Sequence, residues 1–237
     1  KIRAKKVILA TGALERPLIF NNNDRPGIML SSAVKKYADF YGVVSGKKNV
    51  FFTNNDTAYE SAFCLHNKGI KVEAIIDIRE SSNSKIVKAV EEAGIKIYWS
   101  STIVDTTGYK RLNSVSVMKL SNDGLSVTGN KMNISCDCLG VAGGWTPAVH
   151  LFTQSGGKLT FDESDKVFLP NKYPSEQLSV GSCNGDFEIK EIVKNLSTNL
   201  KDFLKIDKTD FENINVESEE ETSKRNIWLL PSDKPIG

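Results

Sequence analysis

Short apolar runs alternate with amphipathic stretches between residues 49 and 99. The apolar runs that predict buried strands cover residues 49–53, 71–77 and 95–99. The stretches with helical spacing cover residues 56–68 and 86–93. A glycine follows each of these stretches, as is common at helix C-termini. The order strand, helix, strand, helix, strand predicts a parallel sheet with right-handed crossovers.

A short strand precedes this unit, and a polar segment follows that strand. Residues 5–10 (KKVILA) predict a buried strand that runs into a Thr-Gly turn. The stretch 15–27 carries three asparagines and two prolines, which excludes a regular helix or a central strand. A helix capped by Ser31 or Ser32 then follows.

An antiparallel meander and a second strand, turn and helix complete the pattern. Alternation that begins at Val115, an Asn-Asp-Gly turn and a return over 125–134 predict a hairpin, which ends in a buried strand over 136–142. Loops are expected from there to residue 178. A strand over 178–180 then runs into a glycine turn, and a long amphipathic helix begins near Asp186.

These elements predict a three-layer α/β fold that matches the carboxyl-terminal portion of a flavoprotein with two dinucleotide-binding domains. In such proteins a second nucleotide-binding domain interrupts the first. Here residues 1–44 and 139–204 are expected to form part of the first FAD/NAD-binding domain, and residues 45–138 an inserted Rossmann-like domain. Residues 205–237, with an acidic run and a Trp-Leu-Leu-Pro sequence, are expected to form a linker.

The glycine fingerprint of the inserted domain is degenerate. Thr53, Asn55 and Ala58 occupy its three glycine positions, and only the third commonly becomes alanine. Side chains at the first two positions are expected to stand in the way of the phosphates. We therefore expect a Rossmann-type domain that has lost dinucleotide binding, with NAD(P) binding as the alternative. Asp77 lies where an acidic residue holds a ribose, although aspartate is common at strand ends.

The first domain carries small residues suited to a dinucleotide. Thr11, Gly12 and Gly181 allow the backbone to pass close to a bound dinucleotide, and the helix near Asp186 points its positive end at the pyrophosphate. The alternative is that these glycines only form turns. The strand with an intact fingerprint that would open this domain is missing, and the chain has the pattern of a piece of a longer protein.

Composition and charge exclude several classes of protein. The chain has 31 basic and 29 acidic residues, so its net charge of +2 gives no argument for nucleic-acid binding. No apolar run is long enough for a membrane span or a signal peptide, so a cytoplasmic location is expected. Four scattered cysteines predict reduced thiols, and two histidines exclude a His-rich metal site.

Three long and unusual runs resemble one protein family. They are Thr11–Pro17 (TGALERP), Phe20–Gly27 (FNNNDRPG) and Gly143–Lys158 (GGWTPAVHLFTQSGGK). Together they resemble the alpha subunit of heterotetrameric sarcosine oxidase, over nearly the whole chain. The resemblance implies the central part of that subunit, a FAD/NAD(P)-binding region similar to the pyridine nucleotide-disulfide oxidoreductases.

The resemblance implies an oxidoreductase subunit that acts on the CH–NH group of sarcosine. Sarcosine is oxidatively demethylated to glycine, tetrahydrofolate accepts the one-carbon unit, and oxygen is reduced to peroxide. Implied partners are the beta, gamma and delta subunits, with FAD on the beta subunit, FMN at the subunit interface and a carboxyl-terminal folate-binding domain. No catalytic residue is expected on this chain, and the chain alone is expected to be inactive.

The resemblance also implies two groups of site residues. The residues expected to line a bound dinucleotide, NAD, are Ala10, Thr11, Gly12, Gly181, Asn184 and Gly185. The residues expected to form an interface or flavin-facing loop are Gly144, Trp145, Thr146 and Pro147. For this loop the alternative is a tryptophan that anchors it to the core. Whether the dinucleotide is NAD or FAD stays open.

Three other functions stay open on the sequence. An NAD(P)H-dependent flavoprotein reductase requires an intact fingerprint over 53–58, which the sequence lacks. A related dehydrogenase of an amine, proline or an opine shares the architecture and differs in its substrate. A structural scaffold with vacant nucleotide sites is the third, and a stoichiometric dinucleotide in the intact subunit excludes it.

Overall fold

The computed structural model describes residues 3–174, 176–206 and 224–233. The chain folds as two compact units. Unit 1 consists of Lys1–Leu14 and Trp145–Glu219, and unit 2 consists of Glu15–Gly144 and Glu220–Gly237. Within the described residues, no helix is both long enough and apolar enough to cross a membrane.

The strands and the helices are each numbered in the order in which they occur along the chain. The strands are β1 (Val7–Leu9), β2 (Ala13–Glu15), β3 (Ile28–Leu30), β4 (Asn49–Thr53), β5 (Val72–Asp77), β6 (Ile97–Tyr98), β7 (Ser101–Thr107), β8 (Ser114–Leu120), β9 (Val127–Ser135), β10 (Cys138–Ala142), β11 (Trp145–Pro147), β12 (Lys158–Asp162), β13 (Val167–Lys172) and β14 (Gln177–Ser179). The helices are α1 (Ser31–Asp39), α2 (Thr57–Asn67), α3 (Lys85–Glu92), α4 (His150–Gln154) and α5 (Ile189–Leu204), with a 3₁₀ turn at Gly181–Asn184.

Unit 2 contains a parallel sheet of five strands in the order β3-β10-β4-β5-β6. Successive side chains of a strand point to opposite faces. Accordingly Phe51 packs in a cluster with α1, α2 and α3, whereas Phe52 packs in a second cluster with the antiparallel sheet β7-β8-β9. Gly140 on β10 leaves room for the Phe51 ring, since a Cβ there would lie 2.6 Å from it. The result is the expected three-layer arrangement of helices, parallel sheet and antiparallel sheet.

The boundaries of unit 2 differ from those expected from the sequence. β10 lies between β3 and β4 in the parallel sheet, so residues 15–44 and 139–144 belong to unit 2 and not to the first domain. α1 likewise packs in the helical cluster of this unit through Val34 and Ala38. The strand β3 was not expected because it is three residues long and follows a segment rich in proline and asparagine.

Unit 1 contains a parallel pair β1–β14, a pair β2–β11 and an antiparallel hairpin β12–β13. The expectation of loops up to residue 178 is wrong at this hairpin, whose strands carry lysines and a proline in place of regular alternation. α5 covers the expected amphipathic stretch but begins at Ile189, after the 3₁₀ turn, and not near Asp186. None of its side chains is buried.

The segment expected to be a linker is described only in part. Residues 207–223 and 234–237, including the acidic run, lie outside the described residues. The remainder, Lys224–Asp233, packs on unit 2 in an extended conformation. Leu229 forms a parallel β-bridge with Ile19, and Leu230 is 1% exposed within the core that contains Phe52.

Candidate functional site

The carboxyl edge of a parallel sheet is where a Rossmann-type fold binds its nucleotide. In unit 2, β4 ends at this edge and continues into the turn that precedes α2. The Thr53 hydroxyl donates to the Asn55 carbonyl at 2.7 Å and accepts from the Asn55 amide at 3.1 Å. The Asn55 side-chain oxygen accepts from the Thr57 amide at 2.8 Å. These side chains thus bind amide groups that a pyrophosphate would otherwise meet.

The side chains of Thr53 and Asn55 do not project into the crevice as expected from the sequence. Thr53 is 0% exposed and Asn55 is 9% exposed. The Asn55 side-chain amide donates to the Asn54 side-chain oxygen at 2.7 Å and to the Ala142 carbonyl at 3.3 Å. The turn is therefore closed by its own hydrogen bonds rather than blocked by protruding groups.

A buried ion network lies directly beside this turn. The Arg79 guanidinium is 2.7 Å from Asp56 and 2.7 Å from Asp77, and all three side chains are almost fully buried. Asp56 precedes the first residue of α2 but caps it with no side-chain hydrogen bond. Two carboxylates share one guanidinium here, so the local formal charge is negative. A negative charge at this helix N-terminus opposes the binding of a phosphate.

The aromatic rings of Tyr59 and Trp99 pack against the Arg79 guanidinium of the same network. The Tyr59 hydroxyl donates to the Asp77 carboxylate at 2.8 Å, and the Tyr59 ring stacks on Trp99 with centroids 6.0 Å apart. Burial raises the pKa of Asp77, and the hydrogen bonds and charge of Arg79 offset part of this rise. Burial, and then the charge of Asp77, raise the pKa of Tyr59 well above its usual value, so its hydroxyl stays protonated.

The expected contact between Asp77 and a ribose does not fit this geometry. Asp77 is 0% exposed, and its oxygens accept from Tyr59 and from the Arg79 backbone and guanidinium. Reasoning from the sequence singled out Asp77 but missed Arg79 and Tyr59. The available signal was an Asp-x-Arg sequence directly after an apolar strand, because an arginine beside a buried carboxylate is a frequent partner.

We expect the Tyr59→Phe variant to lose the hydrogen bond to Asp77 and little packing. Because this bond goes to a charged group in a buried position, the free energy of unfolding should fall by about 1.5–3 kcal/mol. Urea unfolding monitored by circular dichroism measures this change. Tyr109→Phe is the control, since Tyr109 is 94% exposed. Equal stability of the two variants would contradict the inferred role of the hydroxyl.

Unit 1 offers a second carboxyl edge, formed by β1 and β14. The two strands are parallel with Leu9 opposite Ser179, and the Val180 amide donates to the Leu9 carbonyl at 2.9 Å. The segments that leave these strands, 10–12 and 181–185, therefore start from the same edge. The Thr11 hydroxyl donates to the Ala148 carbonyl at 2.8 Å.

Two glycines at this edge adopt backbone angles that favour glycine. Gly12 has φ +72°, and a Cβ added to it would meet nothing within 4 Å. Gly181 has φ +74°, and an added Cβ would approach only Ile192, at 3.9 Å. The backbone at both positions is consequently open to the close approach of a ligand. A dinucleotide requires such an opening, because its pyrophosphate lies against the backbone.

The other two predicted contact residues of this turn have structural roles. Asn184 accepts a hydrogen bond from the Tyr173 hydroxyl through its side-chain oxygen, at 2.6 Å. Gly185 adopts φ +96°, and an added Cβ would lie 2.7 Å from Leu169 on β13. The absence of a side chain at Gly185 thus allows the turn to pack on the β12–β13 hairpin. This agrees with the alternative that the glycine only forms a turn.

The Gly-Gly-Trp-Thr-Pro segment is a strand and not the expected loop. Gly144 has φ +88°, and its carbonyl accepts from the Arg16 amide at 2.8 Å within unit 2. Trp145–Pro147 forms β11 in unit 1. Trp145 and Thr146 are half-buried, and Pro147 is buried.

The cysteines do not form a redox pair. Cys136 belongs to the cluster on the antiparallel-sheet side and Cys138 to the cluster on the helical side. Burial raises the pKa of each thiol to about 12, so neither is a reactive thiolate near neutral pH. Among the residues that the structure describes, no group of histidine, cysteine, aspartate and glutamate side chains has the arrangement of a metal site.

Comparison with curated proteins identifies the relatives of this chain. The sarcosine oxidase subunit alpha of Corynebacterium sp. (strain P-1) is 41% identical over 189 residues, which cover 79% of this chain and 19% of that protein. The chain is homologous to a segment of the sarcosine oxidase alpha subunit. The alpha subunit from Rhizobium meliloti (strain 1021) is 36% identical over 170 residues, 71% of this chain and 16% of that protein. No family profile matches the chain.

The resemblance predicted from the three sequence runs is thereby confirmed. The chain spans about a fifth of the length of these sarcosine oxidase alpha subunits. The third relative, from Corynebacterium sp. (strain U-96), is 36% identical over 184 residues, 78% of this chain and 19% of that subunit.

Solved structures confirm the predicted fold class. L-proline dehydrogenase from P. horikoshii matches with a TM-score of 0.56 and 20% identity, over 87% of this chain and 36% of that chain. Thioredoxin reductase from T. acidophilum matches with a TM-score of 0.55 and 16% identity, over 78% of this chain and 59% of that chain. This chain therefore has a mixed α/β, Rossmann-like fold of the kind found in these flavoproteins.

Proposed function

We propose that this chain is the cofactor-holding part of the alpha subunit of a sarcosine oxidase. The observation that carries the proposal is the 41% identity to a sarcosine oxidase alpha subunit over 79% of the chain. On this proposal the residues of this chain bind and position groups, while the amine is oxidised elsewhere in the complex. On this proposal the chain alone is inactive.

The proposed reaction removes the N-methyl group of sarcosine. Two electrons and two protons leave the amine and its methyl carbon, the one-carbon unit passes to tetrahydrofolate, and glycine is released. Oxygen takes up the two electrons and two protons and becomes hydrogen peroxide. The flavin that this chemistry requires, FAD, is assigned to the beta subunit. A second flavin, FMN, is assigned to the subunit interface and the folate site to another domain of the alpha subunit.

The dinucleotide, NAD, is assigned to the carboxyl edge of β1 and β14 in unit 1. The open backbone at Gly12 and Gly181 supports this assignment, as does the parallel pairing that starts both segments from one edge. Ala10 and Thr11 are exposed beside Gly12. Asn184 and Gly185 complete the proposed set by shaping the turn after β14.

Unit 1 also has the features of a domain completed by other residues of a longer subunit. Among the residues that the structure describes, its β1–β14 sheet has two strands, and Val7 and Ile8 on β1 are 43% and 42% exposed. The 16-residue helix α5 is amphipathic and buries none of its side chains. An amphipathic helix gains its stability from packing its apolar face. We propose that a further strand and the glycine fingerprint come from the alpha subunit outside this chain.

The partners on this proposal are the beta, gamma and delta subunits. Gly144 and the β11 strand, Trp145, Thr146 and Pro147, remain the proposed interface or flavin-facing segment. Its support is the indole of Trp145, which is only half-buried and suits an interface. The cytoplasm is the proposed location, in keeping with four free cysteines.

An NAD(P)H-dependent reductase is disfavoured by the geometry of unit 2. Such an enzyme would bind its nucleotide at the carboxyl edge of β4, where the turn is closed by its own hydrogen bonds and Asp56 adds a negative charge. We expect NADPH to show no saturable binding to the chain in isothermal titration calorimetry. Binding at the submillimolar level that changes on substitution of Asp56, but not on substitution of Gly12, would restore the reductase hypothesis.

A dehydrogenase of proline or another amine is the second candidate. Its support is the fold likeness to L-proline dehydrogenase, which extends over 87% of the chain. The two candidates differ in substrate and electron acceptor and not in the role of this chain. Steady-state assays of the assembled enzyme with sarcosine, proline and opines separate them.

The experiment that tests the proposed function uses the complete complex. The full alpha subunit is co-expressed with its beta, gamma and delta subunits, and oxygen uptake is followed with sarcosine in the presence and absence of tetrahydrofolate. We expect sarcosine-dependent oxygen uptake, glycine formation and free formaldehyde only when tetrahydrofolate is omitted. An assembled complex with its flavins bound but no uptake with sarcosine would overturn the assignment.

A further inference from the structure

The segment Lys224–Asp233, which we call the strap, crosses the carboxyl edge of the unit 2 sheet. Its contacts reach the ends of three neighbouring strands. The Arg225 amide donates to the Asn54 carbonyl after β4 at 3.1 Å, and the Trp228 indole donates to the Gly143 carbonyl after β10 at 2.5 Å. The Arg225 guanidinium donates to the Ile78 carbonyl after β5 at 2.8 Å.

Arg225 attaches the amino end of the strap through several hydrogen bonds. Besides its bonds to Asn54 and Ile78, its guanidinium donates to the Asn122 carbonyl at 2.8 Å. The Asn54 side-chain amide in turn donates to the Arg225 carbonyl at 3.0 Å. A planar guanidinium holds two carbonyls in fixed directions, which sets the register of the strap on the edge.

Trp228 and Leu230 anchor the carboxyl half of the strap. The Arg16 guanidinium lies over the Trp228 ring, 4.1 Å from its centroid. The Ile19 amide donates to the Trp228 carbonyl at 2.7 Å, and the Leu230 amide donates to the Ile19 carbonyl at 2.9 Å. This is the hydrogen-bond pattern of strand addition, in which alternate side chains face inward: Leu230 is 1% exposed and Leu229 is 60% exposed.

The groove that receives the strap presents acceptors. The backbone carbonyls of Asn54, Ile78, Asn122 and Gly143 all accept hydrogen bonds from strap donors. A pyrophosphate at neutral pH offers only acceptors and negative charge, so it cannot bond to these four carbonyls. An extended peptide supplies amide, guanidinium and indole donors together with apolar side chains.

A small cleft of about 320 Å³ borders the strap next to Arg79 and Arg225. It does not form an anion site, because the Arg79 guanidinium is paired with two carboxylates and the Arg225 guanidinium with two carbonyls. Glu80 also lines this cleft. The two guanidinium groups that line the cleft are therefore already bonded within the protein.

We propose that the former nucleotide crevice of unit 2 is a docking site for an extended peptide, and that its occupant is the strap of the same chain. The proposal is independent of the reaction assigned above. On this proposal unit 2 binds the strap. The strap occupies the edge of the parallel sheet at which related folds hold a nucleotide. A nicotinamide nucleotide and the strap would compete for the same carboxyl edge.

The test cuts the strap from the body of the complete chain. A recognition sequence for a site-specific protease is inserted between residues 206 and 224, and the cut protein is passed over a size-exclusion column. We expect the strap fragment to co-elute with the body. A labelled synthetic peptide of residues 224–233 should then exchange into the cut protein and bind saturably, as measured by fluorescence anisotropy.

Two adjacent leucines provide matched peptide variants. Leu230→Ala should weaken binding about tenfold or more, since it removes a buried side chain, whereas Leu229→Ala should change it less than about threefold. Substitutions in the peptide leave the folding of the body unaffected. Arg225→Lys keeps the charge but loses the planar fork, so it should also weaken binding about tenfold.

Three results would each overturn the proposal. The strap fragment separates from a folded body after cleavage, with no rebinding of the peptide. Leu229→Ala and Leu230→Ala weaken binding equally, which excludes the docked register. A photoreactive NAD analogue labels the turn from Thr53 to Thr57 of the uncut protein with the strap in place, which shows that the crevice accepts nucleotide. None of these results depends on sarcosine turnover, so they are distinguishable from failure of the proposed function.

Discussion

The Arg79→Met variant is expected to lose about 3–5 kcal/mol of its free energy of unfolding, because it leaves two carboxylates in the interior without their cation. Arg79 is 4% exposed and is the charged partner of both Asp56 and Asp77. Methionine fills much of the arginine volume, so cavity formation contributes little to the expected loss. Guanidinium chloride unfolding of the whole chain measures the difference.

The loss should shrink as the pH falls. Burial raises the pKa of Asp77, and removal of Arg79 removes the hydrogen bonds and the charge that offset this rise. The folded variant then binds a proton at Asp77 more tightly than the unfolded chain does. Its stability relative to the wild type therefore increases as the pH is lowered from about 7 toward about 4, where the unfolded carboxyl also begins to protonate.

Arg111→Met is the control for this prediction. Arg111 also faces an aspartate, Asp137, at 3.8 Å, but its side chain is 62% exposed. Removal of an exposed ion pair should cost less than about 1 kcal/mol, with little dependence on pH. If Arg79→Met and Arg111→Met had the same free energy of unfolding, the inference that the buried ion network stabilises the fold would be wrong.

The Gly12→Ala variant of the complete alpha subunit is expected to retain NAD about tenfold less tightly or worse, because a methyl group would occupy the open space that the diphosphate is proposed to use. The measurement is the amount of NAD released from the purified subunit on denaturation, quantified by chromatography, together with the affinity of the stripped subunit for added NAD.

Gly69→Ala separates this effect from backbone strain. Gly69 has φ +73°, almost the same as the +72° of Gly12, and an added Cβ likewise meets nothing within 4 Å. Both variants should thus lose similar stability, about 1 kcal/mol. Normal NAD content in both variants would remove the basis for assigning Gly12 to the cofactor site, whereas equal loss in both would indicate an indirect effect of strain.

The sequence was sufficient to predict the layered core of unit 2. Phe51 and Phe52, adjacent in an apolar run, pack on opposite faces of one sheet, as two-sided burial of a parallel strand requires. The helices α2 and α3 follow apolar periodicity and each end two residues before a glycine, so their bounds agree with prediction to within one residue. Periodic patterns over several residues carry this information.

The elements that escaped prediction depend on distant contacts. β3 is three residues long and becomes a strand only because β10 lies beside it. Arg79 and Asp56 are brought together across 23 positions of sequence by the ends of β4 and β5. The strap meets the edge of the sheet through Asn54, which is 171 positions away from Arg225. No local pattern encodes such pairings.

A structure of the complete alpha subunit with its bound NAD would locate the diphosphate. We expect it at the carboxyl edge of β1 and β14, against the backbone of Gly12 and Gly181, while the strap stays on unit 2. A diphosphate seated on the turn from Thr53 to Thr57, with the strap displaced, would contradict it.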